Sequence, residues 1–421
     1  MHIDSCSTPG LRFSDYARSL VNTLGRAAKS SDGALTIGIF GKWGTGKTTL
    51  MRCVEKEFLA RKVDNQTQNK TIWFSPWKYD TKEKIWNALI QSILAEIEKD
   101  IDTDGKKACH DLAWLMRFYA YEIGRELALG WVKKQVKDNV GFDLGELKKI
   151  SQTDSISEMY RNLNRFEEDF KLLVSNYVGP EGRLVIFIDD LDRCLPTEAL
   201  TVLEALKLYL DRANCIFVIG LDGRTIEQAV REKYSSVDIT GKDYIEKMIH
   251  LNFFIPENDP IEIEDLLRGQ MNELAHHIDR KLWALISIAT GRNLRRIKQY
   301  LIAWNLQKEL LPDVDNQTLQ EVAIFLLVQM YYPKFYEALS LYNYSLMNLF
   351  FNFFDAESEK ASTTTYEITI RKFPEVGELW QDNSLRTFCE CLRNKEYLFS
   401  TESDTVRKNL TKMSMTGQRN S

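Results

Sequence analysis

The residues best suited to chemistry lie in one short segment, GKWGTGKT, at positions 41–48. It matches the phosphate-binding pattern G-x-x-x-x-G-K-[ST] at Gly41, Gly46, Lys47 and Thr48. Glycine lets the backbone turn its N–H groups inward, Lys47 offers a charge to the β- and γ-phosphates, and Thr48 offers a hydroxyl to Mg²⁺. Average composition would give this match by chance in roughly one or two chains per hundred of this length. The segment therefore predicts phosphate binding.

The elements on either side of this loop are those that a phosphate site requires. An apolar run from Leu35 to Phe40 predicts a buried strand before it, and helical spacing of apolar residues from Leu50 to Phe58 predicts a helix after it. The N–H groups of the loop would then lie at a helix N-terminus, which favours anions. Further candidate nucleotide-binding residues in or beside the loop are Lys42, Trp43, Gly44, Thr45 and Thr49.

A second set of polar residues follows the apolar run LVIFI at positions 184–188. Such a run predicts a buried parallel strand that delivers carboxylates to the C-terminal edge of a sheet, where ligands of open α/β sheets bind. Asp189 could hold Mg²⁺ directly or through water, and Asp190 could orient or polarise an attacking water. Asp192 and Arg193 add another acid and a guanidinium. The alternative is an ordinary strand followed by an acidic turn.

Asp222 follows another apolar run, at residues 216–220, which predicts a fourth strand of the same sheet. At that edge Asp222 could sense a γ-phosphate, or it could only cap the next helix. A fifth strand is predicted over residues 249–255, before Pro256. Beyond Pro256 the patterns are helical.

A basic stretch lies between residues 276 and 310. Arg295 or Arg296 could reach a γ-phosphate, in the same chain or across subunits. A solvated basic face is the alternative. The stretch contains two acidic residues, Asp279 and Glu309, and seven basic ones, Arg280, Lys281, Arg292, Arg295, Arg296, Lys298 and Lys308.

Composition narrows the class of protein. The chain has 421 residues, enough for two or three domains, and its 44% hydrophobic and 27% charged content is that of ordinary globular proteins. A net charge of −5 creates no global basic field that would attract nucleic acid. Seven cysteines without paired metal spacing suit a reducing cytosol. The N-terminus lacks an apolar signal segment, and charges within 112–132 argue against a membrane span, so we expect a cytoplasmic chain.

The pattern of helices and strands predicts four parts. Residues 1–80 and 181–256 would form the nucleotide-binding core, interrupted by a helical insertion at 81–180. Residues 257–400 would form a helical C-terminal domain, or lid, and residues 401–421 a flexible polar tail.

Taken in order, these motifs resemble the KAP family of P-loop NTPases, a branch near the STAND signalling ATPases. The matching segments extend from about residue 12 to residue 310, and the helical run LLVQMYYPKFYEAL adds to them. They are GIFGKWGTGKTTL, IWFSPWKYD, LVIFIDDLDRC, CIFVIGLD, DYIEKMIHLNFFIP and GRNLRRIKQYL.

The resemblance implies an α/β fold, a P-loop NTPase parallel sheet in the order 5-1-4-3-2, with a helical insertion and an all-α C-terminal lid. It gives the Walker A role to Lys47 and Thr48, the Walker B role to Asp189, and a catalytic role to Asp190 or Asp192. It favours ATP and Mg²⁺ over GTP, and the sequence shows no guanine-reading Asn/Thr-Lys-x-Asp motif.

Many members of this family carry membrane-spanning hairpins between the two nucleotide motifs. The corresponding stretch here is charged, so the chain looks like a soluble, prokaryotic member. Aspartate, where fast ATPases commonly have glutamate, implies slow turnover. Soluble bacterial members are associated with defence against phages and plasmids.

Three functional hypotheses follow. The first is an ATP-binding and ATP-hydrolysing switch that works with a protein partner or by self-assembly. The second is a nucleic-acid-dependent ATPase whose basic stretch 276–310 contacts phosphates, with binding that falls steeply as salt increases. The third and weaker one is a nucleotide-binding scaffold that never hydrolyses.

Overall fold

A computed structural model describes twelve segments of the chain. Residues 100–153 of the predicted helical insertion and the predicted tail at 401–421 lie outside them. The described residues are 12–30, 33–61, 69–79, 82–99, 154–179, 181–209, 214–234, 240–257, 259–271, 278–311, 315–341 and 375–394.

The chain divides into two compact units, one within residues 5–256 and one within residues 257–421. Among the residues that the structure describes, the first unit contains five strands between helices, and 3₁₀ turns at Pro76–Lys78 and Leu191–Arg193 follow the second and the third strand. Its helices and strands are α1 (Phe13–Ser30), β1 (Leu35–Phe40), α2 (Lys47–Ala60), β2 (Lys70–Phe74), α3 (Lys82–Lys99), α4 (Asp154–Val178), β3 (Leu184–Ile188), α5 (Pro196–Tyr209), β4 (Cys215–Leu221), α6 (Gly223–Lys233), α7 (Gly241–Met248) and β5 (Leu251–Phe254).

The five strands are parallel and form one sheet in the order β2-β3-β4-β1-β5. Read from its other side, this is the predicted order 5-1-4-3-2, and the predicted fold class is confirmed. Phe40, the last residue of β1, pairs with Leu221 and Phe254 at the ends of its neighbours. Ile188, the last residue of β3, pairs with Phe74 at the end of β2. The segments that leave these strands therefore start at one edge of the sheet.

The inner strands β3 and β4 are buried along their whole length. Parallel strands covered on both faces read as unbroken apolar runs, which is why sequence alone located them. Full burial of one of their valine, leucine, isoleucine or phenylalanine side chains stabilises the fold by about 1.5–3 kcal/mol. The two strands are therefore held firmly, and so is the sheet edge at which the acidic residues follow them.

The edge strand β5 is shorter than predicted and alternates between half-buried and exposed residues. Its predicted first residue, Ile249, has an extended backbone (φ −119°, ψ 123°), but its N–H donates to the carbonyl oxygen of Ile245 in α7 at 2.9 Å and not to a neighbouring strand. The sequence therefore predicted the extended backbone of Ile249 but not its hydrogen-bond partner.

The second unit is helical in its described residues, as the sequence predicts. Aspartates cap four of its described helices: Asp259, Asp279, Asp315 and Asp382 accept hydrogen bonds from backbone N–H groups of the first turns. Its helices are α8 (Pro260–Gln270), α9 (Arg280–Thr290), α10 (Leu294–Leu310), α11 (Asn316–Tyr331), α12 (Pro333–Leu341), α13 (Glu375–Trp380) and α14 (Asn383–Asn394).

The sequence predicts no membrane span. The charged stretch 112–132, on which that prediction rests, lies outside the described residues. Among the helices that the structure describes, none combines the length and the apolar composition needed to cross a bilayer.

Candidate functional site

The loop at residues 41–48 has the backbone of an anion-binding turn. Gly44 and Gly46 have φ values of 83° and 100°, in the left-handed region that favours glycine. Gly46 immediately precedes α2, so the loop ends at a helix N-terminus. A Cβ at Gly46 would lie 2.7 Å from the Phe13 ring, and the N–H of Gly41 donates to the carbonyl oxygen of Leu221 at 3.1 Å. Helix α1 and strand β4 thus hold the loop at both ends.

Lys47 points back under this loop and is only 7% exposed. Its ammonium group donates to the carbonyl oxygen of Gly41 at 2.9 Å and more weakly to that of Lys42 at 3.4 Å. It also forms an ion pair with Asp192 Oδ2 at 2.9 Å. A charged amine at such a site needs an anionic partner, and Asp192 occupies that position.

The other predicted residues of the loop surround this lysine. Thr48 and Thr49 lie half-buried in the first turn of α2, and the hydroxyl of Thr45 donates to the carbonyl oxygen of Lys42 at 2.8 Å. Trp43, in contrast, is 58% exposed. No nucleotide role of these residues follows from the contacts alone, so their assignment stays a prediction.

Asp189 lies directly after β3 and is 7% exposed. Its Oδ1 accepts a hydrogen bond from the N–H of Asp190 at 2.9 Å, and a Cβ at Gly220 on the neighbouring strand would lie 3.2 Å from that oxygen. A glycine at position 220 thus leaves space beside this carboxylate.

Asp190 turns the chain sharply, with φ of 60° and ψ of 24°. Its Oδ1 pairs with Arg193 Nε at 2.8 Å, and it accepts a side-chain hydrogen bond from Trp77. Burial and the neighbouring charges of Asp189 and Asp192 raise the pKa of Asp190, although Arg193 and Trp77 oppose that rise. A carboxyl whose pKa is raised at a sheet edge is a common property of functional sites.

The sequence indicated Arg193 as a guanidinium beside the acids, but it did not predict that Arg193 pairs with Asp190 and lies near Trp77. Their signal was present: Trp77 follows β2, which lies beside β3, and Arg193 stands three residues after Asp190. The guanidinium of Arg193 lies 5.5 Å from the Trp77 ring and 5.8 Å from the Trp43 ring. The order of the strands explains why Trp77 and Arg193 meet, since β2 and β3 are neighbours, whereas the approach of Trp43 is visible only in the structure.

Asp222 caps α6, which was one of its two predicted roles. Its carboxylate accepts hydrogen bonds from the N–H of Arg224 and from the Arg224 guanidinium, each at 3.1 Å. Burial opposes ionisation, but these bonds and the charges of Arg224 and Lys47 outweigh it and lower the pKa of Asp222. Contact with a γ-phosphate stays a prediction.

Arg295 and Arg296 belong to the second unit, in the first turn of α10. The N–H of Arg296 donates to Asn293 Oδ1, and its guanidinium lies 5.9 Å from the Tyr331 ring. The carbonyl oxygen of Arg296 also accepts from the Tyr331 hydroxyl at 2.7 Å. These contacts anchor α10 on α11, and a γ-phosphate role for either arginine stays a prediction.

The donor set around Lys47 fits a nucleotide with a divalent cation. The described residues contain no group of three His, Cys, Asp or Glu side chains that could hold a metal ion by themselves. Thr48 and Asp189 could supply two oxygen ligands, and phosphate oxygens and water would have to supply the rest, as is usual for Mg²⁺.

The parallel sheet in this order, the glycine-rich loop before α2 and the acidic residues after β3 define a nucleotide-binding P-loop NTPase. The particular family is KAP: the KAP family P-loop domain matches residues 13–311, so the chain belongs to that family.

The chain matches only part of the length of its curated relatives. The phage T7 exclusion protein of Escherichia coli (strain K12) is 22% identical over 258 residues, which are 58% of this chain and 33% of that protein. The kinase D-interacting substrate of 220 kDa from Homo sapiens is 27% identical over 86 residues, 20% of this chain and 5% of that protein. The chain thus spans about a third of the first and a twentieth of the second.

The solved structures that match this chain are less similar to it in sequence. The Aeropyrum pernix ORC2 protein in its ADP form is 15% identical, covers 96% of each chain and has a TM-score of 0.40. The ORC1 protein of the same organism in complex with DNA is 12% identical, covers 97% of this chain and 84% of that chain, and has a TM-score of 0.38. Similarity at this level supports no functional conclusion.

Proposed function

We propose that the chain binds ATP with Mg²⁺ and slowly hydrolyses it, as a molecular switch that drives assembly or conformational signalling. The convergence of Lys47, Asp189, Asp190 and Asp192 at the edge beside the 41–48 loop carries this proposal. Membership of a P-loop NTPase family supports nucleotide binding.

Each group has a separate task in this proposal. The backbone N–H groups of the loop hold the phosphates, and Lys47 exchanges the carboxylate of Asp192 for a phosphate oxygen. Thr48 and Asp189 hold Mg²⁺, which neutralises charge on the phosphate oxygens when it is bound.

Asp190 acts as the general base that accepts a proton from the attacking water. Because its pKa is raised, chiefly by burial, it becomes protonated at a higher pH than an ordinary aspartate. Turnover should therefore decline as the pH falls through this raised value. The side chain is one methylene shorter than glutamate, which supports slow turnover.

The switch would act with a protein partner or through self-assembly. Similarity to the phage T7 exclusion protein, over a third of that protein, supports a role in defence against phages or plasmids in which a partner supplies the effector activity. Residues 257–400 would be the lid, with Arg295 or Arg296 and Asp222 sensing the γ-phosphate. A cytoplasmic location is part of the same proposal.

A second candidate is a nucleic-acid-dependent ATPase. One observation favours it: Arg280, Lys281, Arg292 and Arg296 are all exposed in the second unit. Such side chains could contact phosphates, and binding would then weaken steeply with salt.

The test is nucleotide turnover by the purified chain, with and without DNA or RNA, beside Lys47→Ala. The switch predicts turnover that Lys47→Ala lowers by on the order of 100-fold, as expected for loss of a positioned charge, and that nucleic acid leaves unchanged. Strong stimulation by DNA or RNA would favour the second candidate. ATP binding by calorimetry without any turnover, in every condition, would instead support the non-hydrolysing scaffold.

A further inference from the structure

The first residue of α1 lies against the last glycine of the phosphate-binding loop. A Cβ added to Gly46 would lie 2.7 Å from Phe13 Cε2 and 2.8 Å from Phe13 Cζ, so the phenyl ring occupies the space that a side chain at position 46 would need. Phe13 is only 2% exposed. Gly46 precedes Lys47 and has a φ of 100°, so the ring covers the residue at which the loop turns into α2.

We propose that Phe13 is a positioning residue, whose ring holds Gly46 in its left-handed conformation and so keeps the N–H groups of the loop aimed at the phosphates. This proposal rests on the proposed function, in which the loop at 41–48 binds the phosphates of ATP.

Gly46 supplies the conformation of the turn but no preference for it. Glycine adopts positive and negative φ about equally readily, so Gly46 alone leaves the loop free to turn in other ways. The ring of Phe13 packs against the turn in its observed form, and a different turn would lose those van der Waals contacts. A loop that already has its binding conformation binds more tightly than one that reaches this conformation only part of the time.

Helix α1 is fixed at three other places, so Phe13 presents a firm surface to the loop. The ring of Tyr16, one turn further along α1, lies 5.8 Å from the ring of Phe253 in β5. Arg61, at the end of α2, donates to a carbonyl oxygen of α1 at 3.2 Å. Arg183, just before β3, donates to another at 3.0 Å. The sheet and α2 therefore hold α1 along its length, and α1 in turn holds the loop.

The first measurement requires no nucleotide. Hydrogen exchange of the amides at 41–48 is followed by mass spectrometry in the full chain. We expect these amides to exchange faster in Phe13→Ala than in the wild type. Phe13→Leu, which keeps an apolar side chain but not the flat ring, should give an intermediate rate, and it replaces Phe13→Ala if that variant does not fold. Unchanged exchange in both variants would overturn the proposal.

The chain offers a matched control in Phe58→Ala. Phe58 is 3% exposed and belongs to α2, so the same substitution is made at a similar depth in the helix that follows the loop. It lies about 16 Å along that helix from Lys47, at 1.5 Å per residue. We expect this variant to keep the wild-type exchange of the loop. Equal acceleration in Phe58→Ala would show that Phe13 acts only through general stability.

The second measurement is calorimetry with two ligands, ATP and inorganic tripolyphosphate, each with Mg²⁺. In Phe13→Ala we expect both affinities to fall by about 10-fold, as when the binding conformation is populated a tenth of the time. The two losses should be equal, because tripolyphosphate has neither base nor sugar and depends on the loop alone. A loss for ATP without a loss for tripolyphosphate would mean that Phe13 contacts the nucleoside, and the positioning role would be wrong.

The third measurement combines Phe13→Ala with Gly46→Ala. Removal of the ring makes room for the Cβ that would otherwise lie 2.7 Å from it. The double variant should therefore lose less ATP affinity than the product of the two single losses, as residues in contact generally do. A loss equal to that product would contradict the contact. If the wild type binds neither ligand, the proposed function fails, and the hydrogen exchange of the loop still decides whether Phe13 holds Gly46.

Discussion

The sheet edge of the first unit and the helices of the second unit arrange their charged residues differently. At the sheet edge, Lys47 and Asp192 lie 145 positions apart in sequence and form an ion pair at 2.9 Å. In the second unit, Arg268 pairs with Glu264, only four positions away, and Asp279 caps the helix that it precedes.

This difference follows from the geometry of the two kinds of structure. Parallel strands start and end at common edges, so residues that follow different strands meet although the sequence separates them. A helix advances 1.5 Å and turns about 100° per residue, so a basic run in sequence becomes a set of side chains on several faces. A motif at a sheet edge therefore predicts a site more strongly than a charge run on helices does.

The largest expected effect separates the two acids that the sequence left as catalytic alternatives. Asp190→Asn should lower kcat by about 10²–10⁴-fold, as for loss of a general base, with ATP still bound. Asp192→Asn should keep most of kcat and bind ATP at least as tightly, because it frees Lys47 from its present partner. Steady-state kinetics with ATP calorimetry measures both, and the reverse result would transfer the base to Asp192.

The next largest effect, a loss of ATP affinity, is expected for Gly46→Ala. A residue with a Cβ at a φ of 100° is strained by about 1–2 kcal/mol, and that Cβ would also lie 2.7 Å from Phe13. Since every 1.4 kcal/mol is tenfold in affinity, we expect a loop that carries this strain to bind ATP about 5- to 30-fold more weakly.

The control for that prediction lies in the second unit. Gly269, in α8, has no described atom within 4 Å of an added Cβ, so Gly269→Ala should leave ATP affinity unchanged. Wild-type affinity in Gly46→Ala, measured beside this control, would mean that the loop does not bind the phosphates.

The sequence predicted the sheet better than it predicted the contacts within the site. Apolar runs located β1, β3 and β4 because buried parallel strands need them, and the family resemblance supplied the order of the strands. The pairing of Lys47 with Asp192 could not be predicted, since it depends on a tertiary approach across 145 positions. Likewise, the sequence left Asp222 with two possible roles; the structure shows that it caps α6, and its contact with a γ-phosphate stays a prediction.

A smaller effect, on the free energy of unfolding, is expected when either of two aspartate caps is replaced, one in each unit. Asp279→Ala should destabilise the second unit by about 1 kcal/mol, the usual loss for an N-cap, in urea unfolding at neutral pH. Asp222→Asn should cost less than about 1 kcal/mol, because its partner Arg224 is largely exposed.

The cost of Asp222→Asn should also depend on pH. The pKa of Asp222 is lowered in the folded chain, so its ionised form stabilises the fold above the ordinary value of about 3.9 and loses that effect as the pH falls through the lower folded value. The unfolding midpoints of wild type and Asp222→Asn should therefore differ at pH 7 and converge under acid. A difference that grew under acid would contradict the assigned contact.

The smallest expected effect concerns the basic residues of the second unit. If the basic stretch is only a solvated surface, the triple variant Arg280→Gln, Lys281→Gln and Arg292→Gln should change neither turnover nor the weak binding of DNA. A guanidinium nitrogen of Arg292 already lies 3.6 Å from a carboxylate oxygen of Glu257, and this contact makes Arg292 less available to a phosphate. If these residues instead contact DNA, the slope of log K against log salt should lose about 0.9 for each contact removed. That result would give the helical unit a nucleic-acid site of its own, and a charge run on helices would then have predicted function as well as the sheet edge does.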